Sequence, residues 1–256
     1  MQNVVRSLLA SFLVVFLFVV SACAQSQVDQ LDTKAVQEQL SKLFPNFKVS
    51  EVNATDIPGI YEVIGESGQI LYYSPKGYLL FGEIWTVAGK SITGERMQAI
   101  QSKKVQEILN SIPLDKAVKL GNGSKTVIEI SDPTCPYCRM ASKKIDEYKD
   151  VTRYVFFMPI HGEDSIKQIS HILCSKDPEK AYHEAYSGKL DNQVKTMNIT
   201  NECKAKMDKI LPEHQSLAQK LNVRGTPFFI INKTPVPGAN IPLIENLLKG
   251  ENGKTK

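Results

Sequence analysis

The sequence predicts an α+β protein in which a small helix-plus-antiparallel-sheet unit is joined by a helix to a larger mixed unit. Three observations carry this. Residues 47–87 are rich in β-branched and aromatic residues, broken by Gly- and Pro-containing turns. Residues 93–112, TGERMQAIQSKKVQEILNSI, place apolar side chains at helical spacing opposite a strongly charged face. From about residue 114 strand-like and helix-like stretches alternate. A chain of 256 residues can bury one substantial core, or an ordinary core plus a small second one. With 42% hydrophobic and 23% charged residues, most of it should fold. The net charge of +4 is spread along the chain without a basic block or an interleaved aromatic stripe, which leaves no footprint for nucleic acid.

Residues 1–24 stand apart. A short basic start, Met1 to Arg6, leads into the nearly all-apolar run Leu8–Val20 and the small residues Ser21-Ala22-Cys23-Ala24. This is the layout of a secretory signal peptide, and about 13 apolar residues are too few to span a bilayer comfortably. Two cleavage readings stand. Ala22-x-Ala24 fits cleavage after Ala24, whereas Val20-Ser21-Ala22-Cys23 fits a lipobox cut between residues 22 and 23, with Cys23 lipidated. Either accounts for the odd cysteine of five, and four in an exported chain suggest two pairs in an oxidising compartment.

In order along the chain, Leu31, Val36, Leu40 and Leu43 mark a short helix within 28–44, ended by Pro45. IYEVIG (60–65), QILYYS (69–74) and YLLFGEIWTV (78–87) read as strands of a meander, separated by Glu66-Ser67-Gly68 and Pro75-Lys76-Gly77. The last of them holds the only tryptophan, Trp85, and an apolar edge of this kind should be hidden, self-pairing across a dimer being one way. The 93–112 helix, with its stripe of Met97, Ile100, Val105, Ile108 and Ile112, stops at Pro113 and suits a bridge between domains. KTVIEIS (125–131) is a strand, followed by CPYC, a helix over about 136–149 and the strand RYVFFMPI (153–160). Helices follow across 164–187 and 204–221, then a closing hairpin of TPFFIINK (226–233) and PVPG (235–238), and a terminal helix from IPLIENLLKG. The expected division is 1–24 signal peptide, 25–92 first domain, 93–113 linker helix and 114–256 second domain.

A strand running into Cys135-Pro136-Tyr137-Cys138 and then a helix puts Cys135 at a helix N-terminus, where unpaired backbone N–H groups favour an anion. Pro136 suits the first helical position. Cys135 is therefore expected to be exposed and thiolate-prone, with a pKa lowered into the roughly 3.5–7.5 range of such sites. Cys138, one turn on, should be more buried and able to attack a mixed disulfide at Cys135. A C-x-x-C pair can also staple a turn or bind zinc. Zinc needs two further ligands, and His161, His171, His183 and His214 are scattered without a C-x-x-C or H-x-x-x-H companion.

The strand–CPYC–helix unit resembles the active site of the thioredoxin superfamily. LNVRGTPFFIIN (221–232) resembles that superfamily's second signature, with Pro227 as a cis-proline opposite the cysteines and Thr226 offering backbone groups to a substrate strand. GIYEVIGESGQILYYSPKGYLLFGEIWTV, ISDPTCPYC, ILCSKDPEKAYHEAYSGK, NVRGTP and VPG narrow the likeness to the DsbC/DsbG family of periplasmic disulfide isomerases, over about residues 27–250. That resemblance implies a cystatin-like N-terminal dimerisation domain forming a V-shaped homodimer, and a thioredoxin-like α/β catalytic domain with a helical insertion. It further implies a structural disulfide between Cys174 and Cys203, worth about 3–4 kcal/mol in the entropic model. The dipeptide Pro136-Tyr137 is of the DsbG type, whereas DsbC centres typically have Gly-Tyr.

Glu129 lies six residues before Cys135, where thioredoxin-like proteins often carry a buried acid. It shares a strand face with Val127. Two readings stand: a buried carboxylate that accepts the Cys138 proton, or a solvated strand residue. The expected activity is thiol–disulfide isomerisation of misoxidised or unfolded exported proteins, by Cys135 attack and Cys138 resolution, without metal or organic cofactor. A site kept reduced implies an electron donor, by resemblance a DsbD-like membrane reductase. The alternatives are reduction of sulfenylated cysteines and a dimeric holdase whose redox centre is incidental.

Overall fold

A computed structural model describes residues 32–250. The signal-peptide reading and Cys23 lie outside the described residues. Two compact units divide between Trp85 and Thr86.

In the first unit Asp32 caps helix α1 (Thr33–Leu43) by accepting the Lys34 N–H. The apolar positions Val36 and Leu40, one turn apart, are buried against an antiparallel sheet. That sheet runs β1 (Val49–Ala54), β2 (Tyr61–Gly65), β3 (Ile70–Ser74) and β4 (Tyr78–Leu80) in sequential order, the meander read from the turns. Val52, Tyr61, Val63, Leu71 and Tyr73 complete the core under the helix. The last strand is a correction: the expected 78–87 stretch pairs with β3 only over Tyr78–Leu80. Gly82 turns to φ +156°, a conformation that takes the chain out of the pleat. Tyr78, Leu80, Phe81 and Trp85 consequently stand exposed along this end of the sheet.

The second unit opens with helix α2 (Ile92–Ile108), capped by the Ser91 hydroxyl on Gly94 N–H. Its Val105 is fully buried with Ile128, Phe156, Leu217 and Ile230, so the end of this helix is core to the second unit. A five-stranded sheet follows in the order β5–β7–β6–β8–β9. Its strands are β5 (Val118–Leu120), β6 (Lys125–Ser131), β7 (Val151–Phe157), β8 (Phe228–Ile231) and β9 (Thr234–Pro237). β6 and β7 are parallel, and the other pairings are antiparallel. The two parallel strands are near-continuously buried, as strands covered on both faces must be. Strand β5, three residues at an edge, is too short to register as a pattern. β7 ends before Pro159, which cannot donate to the ladder.

Helix α3 (Pro136–Ile145) leaves the C-terminal end of β6, the most central strand. Helices α4 (Glu163–Leu173), α5 (Pro178–Tyr186) and α6 (Asn201–Lys220) form the helical insertion, and α7 (Ile241–Lys249) closes the chain. Cys174, just past α4, is bonded to Cys203 in the first turn of α6, with Cα atoms 5.7 Å apart. The disulfide implied by the family resemblance is thus present, and it closes the insertion.

His214, on α6, is fully buried. The Phe157 N–H donates to its Nδ1 at 3.0 Å, which leaves Nε2 to donate to the Lys116 carbonyl at 2.9 Å. Burial pushes its pKa down, only partly offset by the Lys116 carbonyl and Glu213. The folded protein therefore holds His214 neutral, while the unfolded chain takes up a proton near pH 6.5. Stability contributed by this group is complete above about pH 6.5 and falls as pH drops below it, by up to about 1.4 kcal/mol per pH unit. His214→Gln is expected to flatten the unfolding free energy between about pH 6.5 and 5, in chemical denaturation at several pH values. An unchanged slope in the variant would rule the effect out.

Candidate active site

Strand β6 carries the chain through the middle of the sheet and releases it at Ser131 into the turn Asp132-Pro133-Thr134. The turn is closed by the Cys135 N–H on the Asp132 carbonyl at 3.1 Å. Cys135 then takes the N-cap position of α3 with Pro136 at its first turn, as the strand–CPYC–helix pattern requires. Both Cys135 and Cys138 are free thiols.

Their burial corrects one expectation. Cys138 is fully buried as expected, but Cys135 is only 4% exposed rather than open to solvent. The reason lies far along the chain. Thr226 and Pro227, joined by a cis peptide bond, approach Cys135 at the start of β8. The Cys135 thiol donates to the Thr226 carbonyl at 3.6 Å, and no side-chain capping bond ties it to the helix N–H groups. Around the pair, Tyr137 and Met140 are exposed.

Burial raises the Cys138 thiol well above the ordinary cysteine range, and the neighbouring Cys135 adds to this. The Ser131 and Thr226 hydroxyls and the Asp132 N–H, 3.5 Å from Cys138 Sγ, pull the other way. The Thr226 hydroxyl is buried without a hydrogen-bond partner of ordinary geometry, beside that sulfur.

Of its two readings, Glu129 keeps the buried one and loses the solvated one. Its side chain forms an ion pair with Arg153. Arg153, on β7, donates to Glu129 Oε2 from Nε at 3.1 Å and from Nη2 at 2.5 Å. The Tyr182 hydroxyl reaches Oε1 at 3.2 Å. Arg153 also bonds Ser142 on α3 and Asp146 just past it. The network therefore ties the redox helix to the sheet and, through Tyr182, to α5.

Several residues of the site were not singled out from sequence. The buried Asp132 carboxylate accepts from the Thr134 N–H and hydroxyl, from Ser165, and from the Ile160 N–H. Arg139 donates to the Pro133 carbonyl at 2.6 Å and forms a two-pronged pair with Asp191 at 2.6 and 2.7 Å. That pins the turn before Cys135 to the helical insertion. One signal was available: Glu129 and Arg153 are charged residues inside two otherwise apolar strands, and such positions call for a partner. Among the described residues no three His, Cys, Asp or Glu side chains gather in a way that could hold a metal ion.

Residues 26–94 match a family model described as the disulfide bond isomerase protein N-terminal domain, and residues 112–241 match one described as a thioredoxin-like domain. The chain is 31% identical over 210 residues to the probable thiol:disulfide interchange protein DsbC of Bordetella pertussis, covering 80% of this chain and 68% of that one. It belongs to the DsbC family. The Escherichia coli K12 thiol:disulfide interchange protein DsbC is 28% identical over 235 residues, with 89% of this chain and 91% of that protein covered. A solved disulfide interchange protein from Neisseria gonorrhoeae is 28% identical with a TM-score of 0.44, over 54% of this chain and 96% of that chain. As a DsbC-family member the chain is a thiol–disulfide oxidoreductase, and its thioredoxin-like unit carries the two adjacent free thiols described above.

Proposed function

We propose that the chain isomerises non-native disulfides in misoxidised exported proteins through Cys135 and Cys138, in the periplasm. The observation that carries this is a pair of free thiols at the N-terminus of α3, with the Thr226 carbonyl directly opposite Cys135. The Cys135 thiolate attacks a substrate disulfide, forming a mixed disulfide and expelling one substrate thiolate. That thiolate, or another in the same substrate, attacks the mixed disulfide and leaves with a new pairing. If rearrangement stalls, Cys138 attacks Cys135, the substrate departs reduced, and Cys135–Cys138 becomes the disulfide. Returning it to the dithiol takes two electrons from an external donor, in our reading a DsbD-like membrane reductase. Thr226 and Pro227 would hold the substrate backbone beside Cys135. The exposed Phe81 and Trp85 at the end of the first unit's sheet support a homodimer that covers this edge.

The deciding measurement is the redox state of Cys135–Cys138 in cells, trapped by acid and thiol alkylation. A predominantly reduced pair, together with reactivation of scrambled ribonuclease by the purified protein, is the expected result. A predominantly oxidised pair would instead mark an oxidase. Turnover of a sulfenylated single-cysteine substrate without reactivation would mark a sulfenic-acid reductase, which the Pro136-Tyr137 dipeptide favours as the second reading.

A further inference from the structure

We propose that Ser131, oriented by Tyr186, joins the Asp132 N–H in a preset donor cradle that stabilises the Cys138 sulfur as a thiolate while it resolves a mixed disulfide. This rests on the reading of Cys138 as the resolving thiol and names the residues that make that step possible.

The problem these residues solve is set by burial. Cys138 is fully buried among Val155, Phe157, Tyr182 and Tyr186, an environment that disfavours a charged sulfur. Resolution nevertheless requires that charge. The Cys138 thiol gives up its proton, its sulfur bonds to Cys135 Sγ, and the Cys135–substrate S–S bond breaks. The departing substrate thiolate takes up one proton, so the step needs no oxidant and no net proton. What it needs is stabilisation of the thiolate without time for the interior to reorganise, and fixed donors provide that best.

Three features preset the donors. The Asp132 N–H lies 3.5 Å from Cys138 Sγ, at the point where β6 ends. Its peptide is immobilised because the Asp132 side chain is buried and held by Thr134, Ser165 and the Ile160 N–H. Those hydrogen bonds outweigh the effect of burial and keep the Asp132 carboxyl below its usual range, so the anchor stays charged. Ser131 is fully buried, and its hydroxyl oxygen accepts from the Tyr186 hydroxyl at 2.6 Å. Because Tyr186 donates to Ser131, the Ser131 proton is free for another acceptor, and Ser131 directly precedes the Asp132 N–H that reaches the Cys138 sulfur. Burial raises the Tyr186 phenol well above the usual range, so it remains a donor throughout. Tyr186 belongs to α5, so the helical insertion contributes to the cradle through this hydroxyl as well as through Ser165.

The test separates the two chemical steps in the full chain. The first attack is timed in a Cys138→Ala background, where the mixed disulfide is trapped. Release of substrate is timed in single turnover with Cys138 present. Ser131→Ala is expected to slow release about tenfold, the scale of one lost hydrogen bond to a charged group, and to leave the first attack within about twofold. Tyr186→Phe keeps the ring and Ser131 and is expected to slow release about threefold, with the pH dependence of release displaced upward. If Ser131→Ala fails to fold, Tyr186→Phe decides alone. Release at the parent rate in both variants, or equal slowing of both steps, would overturn the proposal. Failure of Cys138→Ala to trap a mixed disulfide would instead overturn the parent reading of Cys138.

Discussion

Replacing Cys135 with alanine is expected to bring disulfide exchange down to the uncatalysed background, whereas Cys138→Ala is expected to preserve the first attack and accumulate mixed disulfide. The asymmetry follows from position. Cys135 faces the Thr226 carbonyl at the head of α3, while Cys138 is fully enclosed, with Ser131 and Asp132 around it. Cys138, fully buried one helical turn behind Cys135, is placed to resolve rather than to initiate. Scrambled ribonuclease reactivation and non-reducing electrophoresis of the trapped species measure the two effects. Suppression of aggregation should survive in Cys135→Ala if the chain also holds unfolded proteins. Reactivation at the parent rate in Cys135→Ala would end the enzymatic assignment of this centre.

The second large effect concerns stability. Arg153→Met should destabilise the folded protein by about 3–5 kcal/mol, because it strands the Glu129 carboxylate in the interior without its counter-charge. The same change removes bonds to Ser142 and Tyr182 and so loosens the redox helix from the sheet. In the double variant Glu129→Gln/Arg153→Met no charge is left uncompensated, and most of the loss should be recovered. Urea unfolding under non-reducing conditions, with the Cys174–Cys203 disulfide intact, gives both values. A single-variant loss below about 1 kcal/mol would show that water or a neighbouring group already compensates Glu129.

Much of the fold was legible because it is written in local periodicity. The β-branched runs with their Gly and Pro punctuation mark the meander, and the strand into CPYC marks the start of α3. The cis bond at Thr226-Pro227 and the Cys174–Cys203 pairing were reached through family resemblance, and both are present. Strand β4 was overextended because apolar residues in 81–87 resemble a strand by composition, while pairing depends on a partner and stops at Leu80. The exposure of Cys135 was misjudged for a related reason. A helix N-terminus is a local feature, but the loop at Thr226 that covers the thiol arrives 91 residues later.

Sequence by itself determined two thiols at a helix start, and the family resemblance added a second pair to brace the insertion and a proline signature to face the thiols. Only the tertiary structure decided the partners of each polar group. Glu129 is buried and bound by Arg153 from the adjacent strand. Ser131 and Tyr186, 55 residues apart, share a hydrogen bond beside Cys138. Burial and partnership depend on side chains distant in sequence, and in a low-dielectric interior these contacts decide whether a group is charged, neutral or reactive.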